Sequence, residues 1–410
     1  MTTNRTSFPK NKIKVLLLEG VHGDAVARLK EEGFAVHSRK GAMDDAELAK
    51  AIADVHLLGI RSKTQISGKV LSKARRLLAV GAFCIGTNQM DLGAARTLGI
   101  PAFNAPYSNT RSVAELVIAN VIMLFRGLFD KIRGAHAGEW IKSAEGSIEV
   151  RGKTLGIIGY GHIGQQVSVL AEAMGMRVLY YDVLDKLSMG NAMRMPDMRS
   201  LLEQADVVTL HVPGGANTDH LINAKALGYM KPGAFLINTS RGTVVDIDAL
   251  CAALVSGHLG GASADVFPRE PKSAKEKFES PLQGMPNVIL TPHIGGSTLE
   301  AQRNIGLEVS AKLVRFTNNG STDGAVNFPN VLLPELQEAH RLLHIHQNVP
   351  GVLQKINTVF GSAGINVEAQ YLRTFEDVGY LIVDIDKNAS QAMLRELKSM
   401  AETIKVRALF

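Results

Sequence analysis

A chain of 410 residues is too long for a single hydrophobic core, and 46% hydrophobic with 20% charged residues is the balance of a globular protein, which sets disorder aside. The net charge of +6 comes from scattered Lys and Arg with no dense basic block, so it points to a focused positive cleft for a small polyanionic substrate and away from nucleic acid. Two cysteines, Cys84 and Cys251, with no CxxC spacing and no His/Cys cluster, lead us to expect neither disulfides nor a bound metal.

Membrane insertion is not expected either. The most apolar stretch, Val113 to Phe129, falls short of the roughly 18 residues that span a bilayer and is interrupted by Glu115, Asn120, Arg126 and Gly127. Residues 1–11 lack the apolar stretch of a secretory signal, so a cytoplasmic protein with no membrane partner is expected.

The first hundred residues alternate short apolar runs (13–19, 35–38, 55–61 and 77–82) with helical patterns such as Asp44 to Asp54. Strands alternating with helices predict a parallel sheet covered on both faces. The apolar spacing then predicts one long helix from Thr110 to about His136, followed by a polar surface loop over 141–152 that carries Lys142. Trp140 precedes that loop. A second α/β run has strands at 154–158, 177–182, 206–212, 234–240, 261–267 and 287–292, closed by a helix from Thr298 to about Phe316. Asn318 to Gly324 reads as a polar break, and Val331 to His340 as a connection without glycine. The last seventy residues give β-α-β-β-α-β, a ferredoxin-like domain whose second helix is predicted from about Ser390 to Glu402. The fold class is therefore α/β, with two doubly wound parallel-sheet Rossmann-like domains and a small C-terminal domain.

Gly159, Gly161 and Gly164 end a predicted strand and open a helix. Such glycines allow the tight turn, the approach of backbone to a pyrophosphate and the close packing of helix on strand. Asp182 ends the next strand, where its carboxylate suits the ribose hydroxyls and repels a 2′-phosphate, favouring NAD over NADP. Downstream stand Arg241, Glu270 and His293, each at or just beyond a predicted strand end. An imidazole exchanges the proton of a 2-hydroxyl, a carboxylate orients the ring and favours its charged form, and a guanidinium binds a carboxylate or a developing oxyanion. Together they make an enzyme that moves a hydride to or from a 2-hydroxy acid.

With loop and triad placed, the chain resembles the D-isomer-specific 2-hydroxyacid dehydrogenases over Ile13 to Phe410, most specifically in LGIIGYGHIG, NTSRGTVVDIDAL and LTPHIGGST. The C-terminal module resembles an ACT domain and places the chain in the serine-biosynthetic branch. That resemblance implies NAD, reversible oxidation of 3-phosphoglycerate to 3-phosphohydroxypyruvate, a homotetramer and L-serine as allosteric effector. It implies a discontinuous substrate domain (12–106 with 296–330), an inserted NAD domain (107–295) and an ACT domain (339–410). Carried over residue by residue, His162 and Ile163 would join the loop glycines at the pyrophosphate. Thr239, Ser240, Arg241, Asp265 and His293 would line the nicotinamide side, with Gly295 and Gly296 at the crossover. Arg61, Ser62 and Asn109 would bind substrate, with Lys40 and Lys142 as weaker phosphate candidates, and His346, Asn348 and Asn366 would bind serine. Left open are another 2-oxo acid substrate, such as glyoxylate, hydroxypyruvate or 2-oxoglutarate, and an NAD-sensing scaffold without turnover.

Overall fold

The computed structural model describes residues 8–271, 276–335, 340–385 and 391–409. Ser390 at the predicted start of the last helix, residues 336–339 of the connection, Phe410 and most of the polar N-terminal stretch lie outside the described residues. Two compact units divide the chain: Met1–Ser108 with Gln302–Phe410, and Asn109–Ala301. The ACT-like segment thus shares a unit with the N-terminal segment.

In the first unit, strands β1 (Lys14–Leu17), β2 (Ala35–Ser38), β3 (Leu57–Ile60), β4 (Ala79–Ala82) and β5 (Ala102–Phe103) form a parallel sheet ordered β2-β1-β3-β4-β5. Central strands are buried on both faces, which is why they read as unbroken apolar runs. The helix Leu299–Asn319 returns to this sheet, burying Ile305, Val309, Leu313 and Phe316, spaced four, four and three residues apart, against Leu17, Leu57 and Phe103.

In the second unit, β6 (Thr154–Ile158), β7 (Arg177–Tyr181), β8 (Met193–Arg194), β9 (Val207–Leu210), β10 (Ala234–Asn238), β11 (Leu259–Ala264) and β12 (Val288–Leu290) form a seven-stranded sheet. Its order is β12-β11-β10-β9-β6-β7-β8, all parallel, with the reversal between β6 and β9. Successive strand residues feed opposite cores: Ile157, Val207 and Ile237 one side, Ile158, Val208 and Leu236 the other. The single long helix expected from Thr110 breaks instead at Gly127, whose left-handed φ of +53° ends Thr110–Arg126 and starts Leu128–His136 at a 74° bend. A glycine inside an apolar period gives no hint whether it continues the helix or caps it. No single described helix is long and apolar enough to cross a membrane.

The ACT-like segment contributes β13 (His340–Gln347), β14 (Val367–Phe375), β15 (Val378–Ile385) and β16 (Thr403–Leu409), antiparallel in the order β14-β15-β13-β16. Helices Val352–Ser362 and Gln391–Ser399 cover one face through Leu342, Ile356, Phe360, Leu381 and Leu397. The other face carries Leu343, Ile345, Tyr380 and Ile382 and packs on Phe328, Val331 and Leu333. Polar groups complete that second contact. The Arg407 Nη2 donates to Thr317 O (3.0 Å), the Tyr380 hydroxyl to Gly320 O (2.7 Å), and Lys405 Nζ to Leu77 O (2.8 Å) and Gly99 O (3.3 Å). The Arg407 guanidinium and the Tyr380 hydroxyl thereby satisfy carbonyls at the C-terminal end of helix Leu299–Asn319. The polar break at 318–324 is correspondingly buried at its centre: Asn319, Ser321 and Thr322 are each under 9% exposed. Its side chains replace water, with Asn319 Oδ1 accepting from Ser321 N (2.9 Å) and Thr322 Oγ1 donating to Pro329 O (2.6 Å).

Arg341, 1% exposed, sits opposite Asp384 in the sheet register and donates to it twice, Nε at 2.6 Å and Nη2 at 2.7 Å, while Nη1 reaches Asn319 O at 3.1 Å. Asp384→Asn leaves that guanidinium buried without its counter-charge, and we expect a loss of about 3 kcal/mol in urea unfolding. A loss below ~1 kcal/mol would show that the carbonyl contacts alone sustain the arginine.

Candidate active site

The loop after β6 turns at Gly159, φ +93°, where a Cβ would lie 2.7 Å from the His211 backbone. At Gly164 a Cβ would lie 2.4 Å from Gly159 O, so the helix His162–Ala173 packs directly on the loop that precedes it. Around a Cβ placed on Gly161 there is open space, as a backbone that receives a ligand requires. Tyr160 fixes the loop from below, fully buried, stacked on Tyr180 at 3.8 Å and donating to Ser168 Oγ at 3.0 Å. Asp182 accepts from Tyr160 N (2.7 Å) with one oxygen and from Leu184 N (2.9 Å) with the other, each keeping a lone pair for further donors. Beside it Val183, Leu184 and Leu187 are exposed, an apolar lining for a flat base. Thr239 Oγ1 is buried with no hydrogen-bond partner. A helix N-terminus with an open glycine, a strand-end carboxylate and an unsatisfied hydroxyl fit a dinucleotide.

His211 was not foreseen. It directly follows β9 at the reversal point of the sheet, opposite the glycine loop, which is the signal that could have marked it. Its Nε2 lies 3.0 Å from Thr209 Oγ1, and desolvation drives its pKa down to about 3, so the ring is neutral.

Arg241 leaves the end of β10 on a loop braced by Asn238, whose Oδ1 accepts from Ser240 N (3.0 Å) and Oγ (2.8 Å) and whose Nδ2 donates to Arg241 O (2.9 Å). Gly242 follows. A Cβ there would fall 1.9 Å from the Phe267 carbonyl carbon, so only glycine lets this loop meet the segment leading to Glu270. Glu270 accepts from Phe267 N (3.1 Å), and its two oxygens face His293 Nδ1 at 3.1 and 2.9 Å. Burial pushes the Glu270 carboxyl up, but the His293 bond and charge, the Phe267 N–H and the Arg241 charge outweigh it and hold the pKa below the usual value. The Glu270 hydrogen bond holds the His293 pKa above its ordinary value, against desolvation and the Arg241 charge, and with help from the Glu270 and Asp265 charges.

His293 itself has φ +55°, a left-handed conformation costly for a side chain of this size. Asp265, 1% exposed, keeps it there: Oδ1 accepts from Thr291 Oγ1 (2.6 Å) and Ile294 N (2.8 Å), and Oδ2 from Gly295 N (2.8 Å). Asp265, expected on the nicotinamide side, also braces the histidine loop, a role that spacing does not reveal. Gly296 abuts Asn109, where a Cβ would meet Nδ2 at 2.4 Å, and Asn109 Oδ1 is buried without a partner.

In the other unit, Arg61 and Ser62 follow β3, Ser62 exposed and Arg61 partly so, while Lys40 is exposed; Trp140 and Lys142 in the nucleotide unit are also exposed. His346 and Asn348 lie together at one end of the ACT sheet. The His346 Nε2 is buried and unpartnered, its Nδ1 faces Gln347 O at 2.8 Å, and Asn348 donates to Glu376 O at 3.1 Å. Asn366 is exposed at the opposite end. It precedes Val367, which pairs with Ile385, whereas His346 pairs with Gly379, six residues or ~20 Å away along β15. One chain does not bring these three together. Among the described residues no group of three or more His, Cys, Asp or Glu could hold a metal ion.

Comparison with known proteins places this architecture. Residues 118–295 match the NAD-binding domain of the D-isomer specific 2-hydroxyacid dehydrogenases, and residues 342–405 match the AHAS small subunit-like ACT domain. The chain belongs to the D-isomer-specific 2-hydroxyacid dehydrogenase family and is an NAD-dependent oxidoreductase. It is 52% identical over 409 residues to the D-3-phosphoglycerate dehydrogenase of Escherichia coli K12, covering 99% of this chain and 100% of the relative. The enzyme of the same name from Haemophilus influenzae is also 52% identical, with both chains covered in full. Among solved structures, the D-lactate dehydrogenase of Aquifex aeolicus complexed with NAD and lactic acid matches with a TM-score of 0.64 and 28% identity, over 74% of this chain and 95% of that one.

Because its pKa is raised, His293 keeps its proton to higher pH than a free imidazole. Oxidation needs the neutral ring, so its rate should rise as pH passes that pKa, and reduction should fall there. Glu270→Gln removes the largest cause of the upward shift, so both limbs should move to lower pH in rate profiles taken in the two directions. Unmoved limbs would mean that Glu270 does not set the titration. A methyl at Gly242 displaces the Arg241 and Glu270 loops from one another. For Gly242→Ala we expect kcat to fall roughly a hundredfold, and a change under about threefold in steady-state assay would refute this.

Proposed function

We propose that this protein oxidises 3-phosphoglycerate to 3-phosphohydroxypyruvate reversibly, the first step of L-serine biosynthesis, in the cytoplasm and as a homotetramer under feedback by L-serine. The full-length likeness to D-3-phosphoglycerate dehydrogenases carries this reading, and the Glu270–His293 pair supplies its chemistry. Because Nδ1 faces Glu270, it carries the proton and leaves the Nε2 lone pair for substrate. His293 Nε2 takes the C2 hydroxyl proton in oxidation and returns it in reduction. The carboxylate of Glu270 stabilises the imidazolium between these events without taking the proton itself. Arg241, with one Nη occupied by Ser240 O at 2.7 Å, keeps its other donors for the substrate carboxylate. When bound, NAD supplies the hydride acceptor, held by the glycine loop and Asp182. Arg61, Ser62 and Asn109 contact the substrate.

Serine binds where two ACT modules meet, with His346 and Asn348 from one copy and Asn366 from another. The ~20 Å between those residues in one chain supports a two-chain site. The unpartnered His346 Nε2 supplies a hydrogen-bonding group for it.

The test is NADH oxidation with 3-phosphohydroxypyruvate, with and without millimolar L-serine. We expect turnover that serine suppresses in the wild-type protein, and suppression weakened at least tenfold in serine concentration by Asn348→Ala or Asn366→Ala. Turnover with glyoxylate or 2-oxoglutarate but not with the phosphorylated acid would reject the substrate assignment. Full suppression in both variants would reject the effector site.

A further inference from the structure

An open parallel sheet receives ligands in the crevice at the carboxyl ends of its strands, where the strand order reverses. In the first unit that point lies between β1 and β3. Here the crevice is filled from within. Just beyond β1, Glu19 and Gly20 both take left-handed backbone, φ +63° and +64°, anchored by Glu19 N to Gly41 O (3.1 Å) and Gly20 N to Arg39 O (3.0 Å). For a glutamate this costs on the order of 1 kcal/mol, and it turns the side chain over the end of β3. The residue is 9% exposed. Its Oε1 accepts from Arg61 N (3.2 Å) and Thr64 N (2.9 Å), and Oε2 accepts from Lys63 N (2.9 Å).

Three backbone N–H groups converging on one acceptor make the kind of concavity in which proteins bind phosphate. The Glu19 carboxylate occupies it as an anion belonging to the chain itself. Arg61 is secured on two further sides. Its Nη1 donates to the Glu19 backbone carbonyl at 3.4 Å, and its own carbonyl accepts from Gln89 Nε2 at 2.8 Å. Gln89 is 4% exposed and is itself tied by Ile66 N to its carbonyl at 2.8 Å. Arg61 therefore has both its peptide N–H and its peptide carbonyl clamped by buried side chains, while the residue as a whole remains partly exposed.

We propose that Glu19 is a positioning residue for substrate binding, an internal anion that holds the Arg61–Thr64 loop so that Arg61 and Ser62 are presented in one conformation to the anionic substrate. This rests on the reading in which Arg61 contacts substrate. Ordering a loop on binding costs conformational entropy for each residue fixed, and Glu19 settles that cost in the free protein. Its charge also keeps the substrate's own phosphate out of the N–H nest and leaves recognition to the side chains.

The full-length protein is assayed with NADH and 3-phosphohydroxypyruvate as Arg61→Ala, Glu19→Gln, Glu19→Ala and Gln89→Leu. Glu19→Gln is expected to raise the KM for the 2-oxo acid about tenfold with kcat within about threefold and the KM for NADH unchanged. In Glu19→Ala, added formate or acetate should enter the vacated nest and lower the KM again, an effect absent from the wild type. A purely structural glutamate would show no such rescue. Should the Glu19 variants not fold, Gln89→Leu decides: a raised KM at unchanged kcat supports the clamp, and an unchanged KM overturns it. If Arg61→Ala raises KM while Glu19→Gln does not, the substrate reading stands and the positioning role falls. If Arg61→Ala leaves KM unchanged, the Arg61 reading fails and takes the role of Glu19 with it.

Discussion

The active-site imidazole stands on left-handed backbone, and one buried carboxylate keeps it there. Asp265 gathers a hydroxyl and two amides from the Thr291–Gly295 turn and so offsets the left-handed φ of His293. Everything chemical follows from that orientation. It aims Nδ1 at Glu270 and gives the ring a second negative charge that raises its affinity for a proton. The Arg241 loop then needs only to approach the Glu270 segment, which Gly242 permits.

Glu19 repeats the device in the other unit. In both places a carboxylate under 10% exposed accepts backbone N–H groups from a strand-end loop, and in both a residue at or beside it has positive φ. Neither depends on an ion pair, so neither is weakened by salt as an exposed bridge is. Loops that would otherwise sample many conformations are fixed by acids within the fold, and the exposed groups on them inherit that order.

The sheets, the glycine loop and the order Arg241, Glu270, His293 were legible in the chain because each leaves a local mark: an apolar run, a G-x-G-x-x-G spacing, a polar group beyond a strand end. What could not be read depends on partners distant in sequence. Glu19 and Thr64 are 45 residues apart, and Asp265 and Gly295 are 30 apart. A carboxylate that accepts backbone N–H groups imposes no pattern on the residues that donate them. The burial around Ser321 was not legible for a related reason: its composition is that of a loop, and the hydroxyls of Ser321 and Thr322 find an N–H and a carbonyl on the following segment, at Leu333 and Pro329. Gly127 shows the remaining ambiguity, since its neighbours continue the apolar period on both sides of the bend.

The ACT sheet is covered on both faces, by its own helices and by the segment around Phe328 and Leu333, with Arg341, Lys405 and Arg407 seated on carbonyls of that same unit. Sequence boundaries make it a module; the packing makes it part of a larger cooperative body. Any small molecule that binds the native ACT segment then stabilises the N-terminal sheet by mass action as well, because neither can unfold without exposing the other. In such a molecule the concentration of an ACT-segment ligand would set the folding equilibrium of the whole unit.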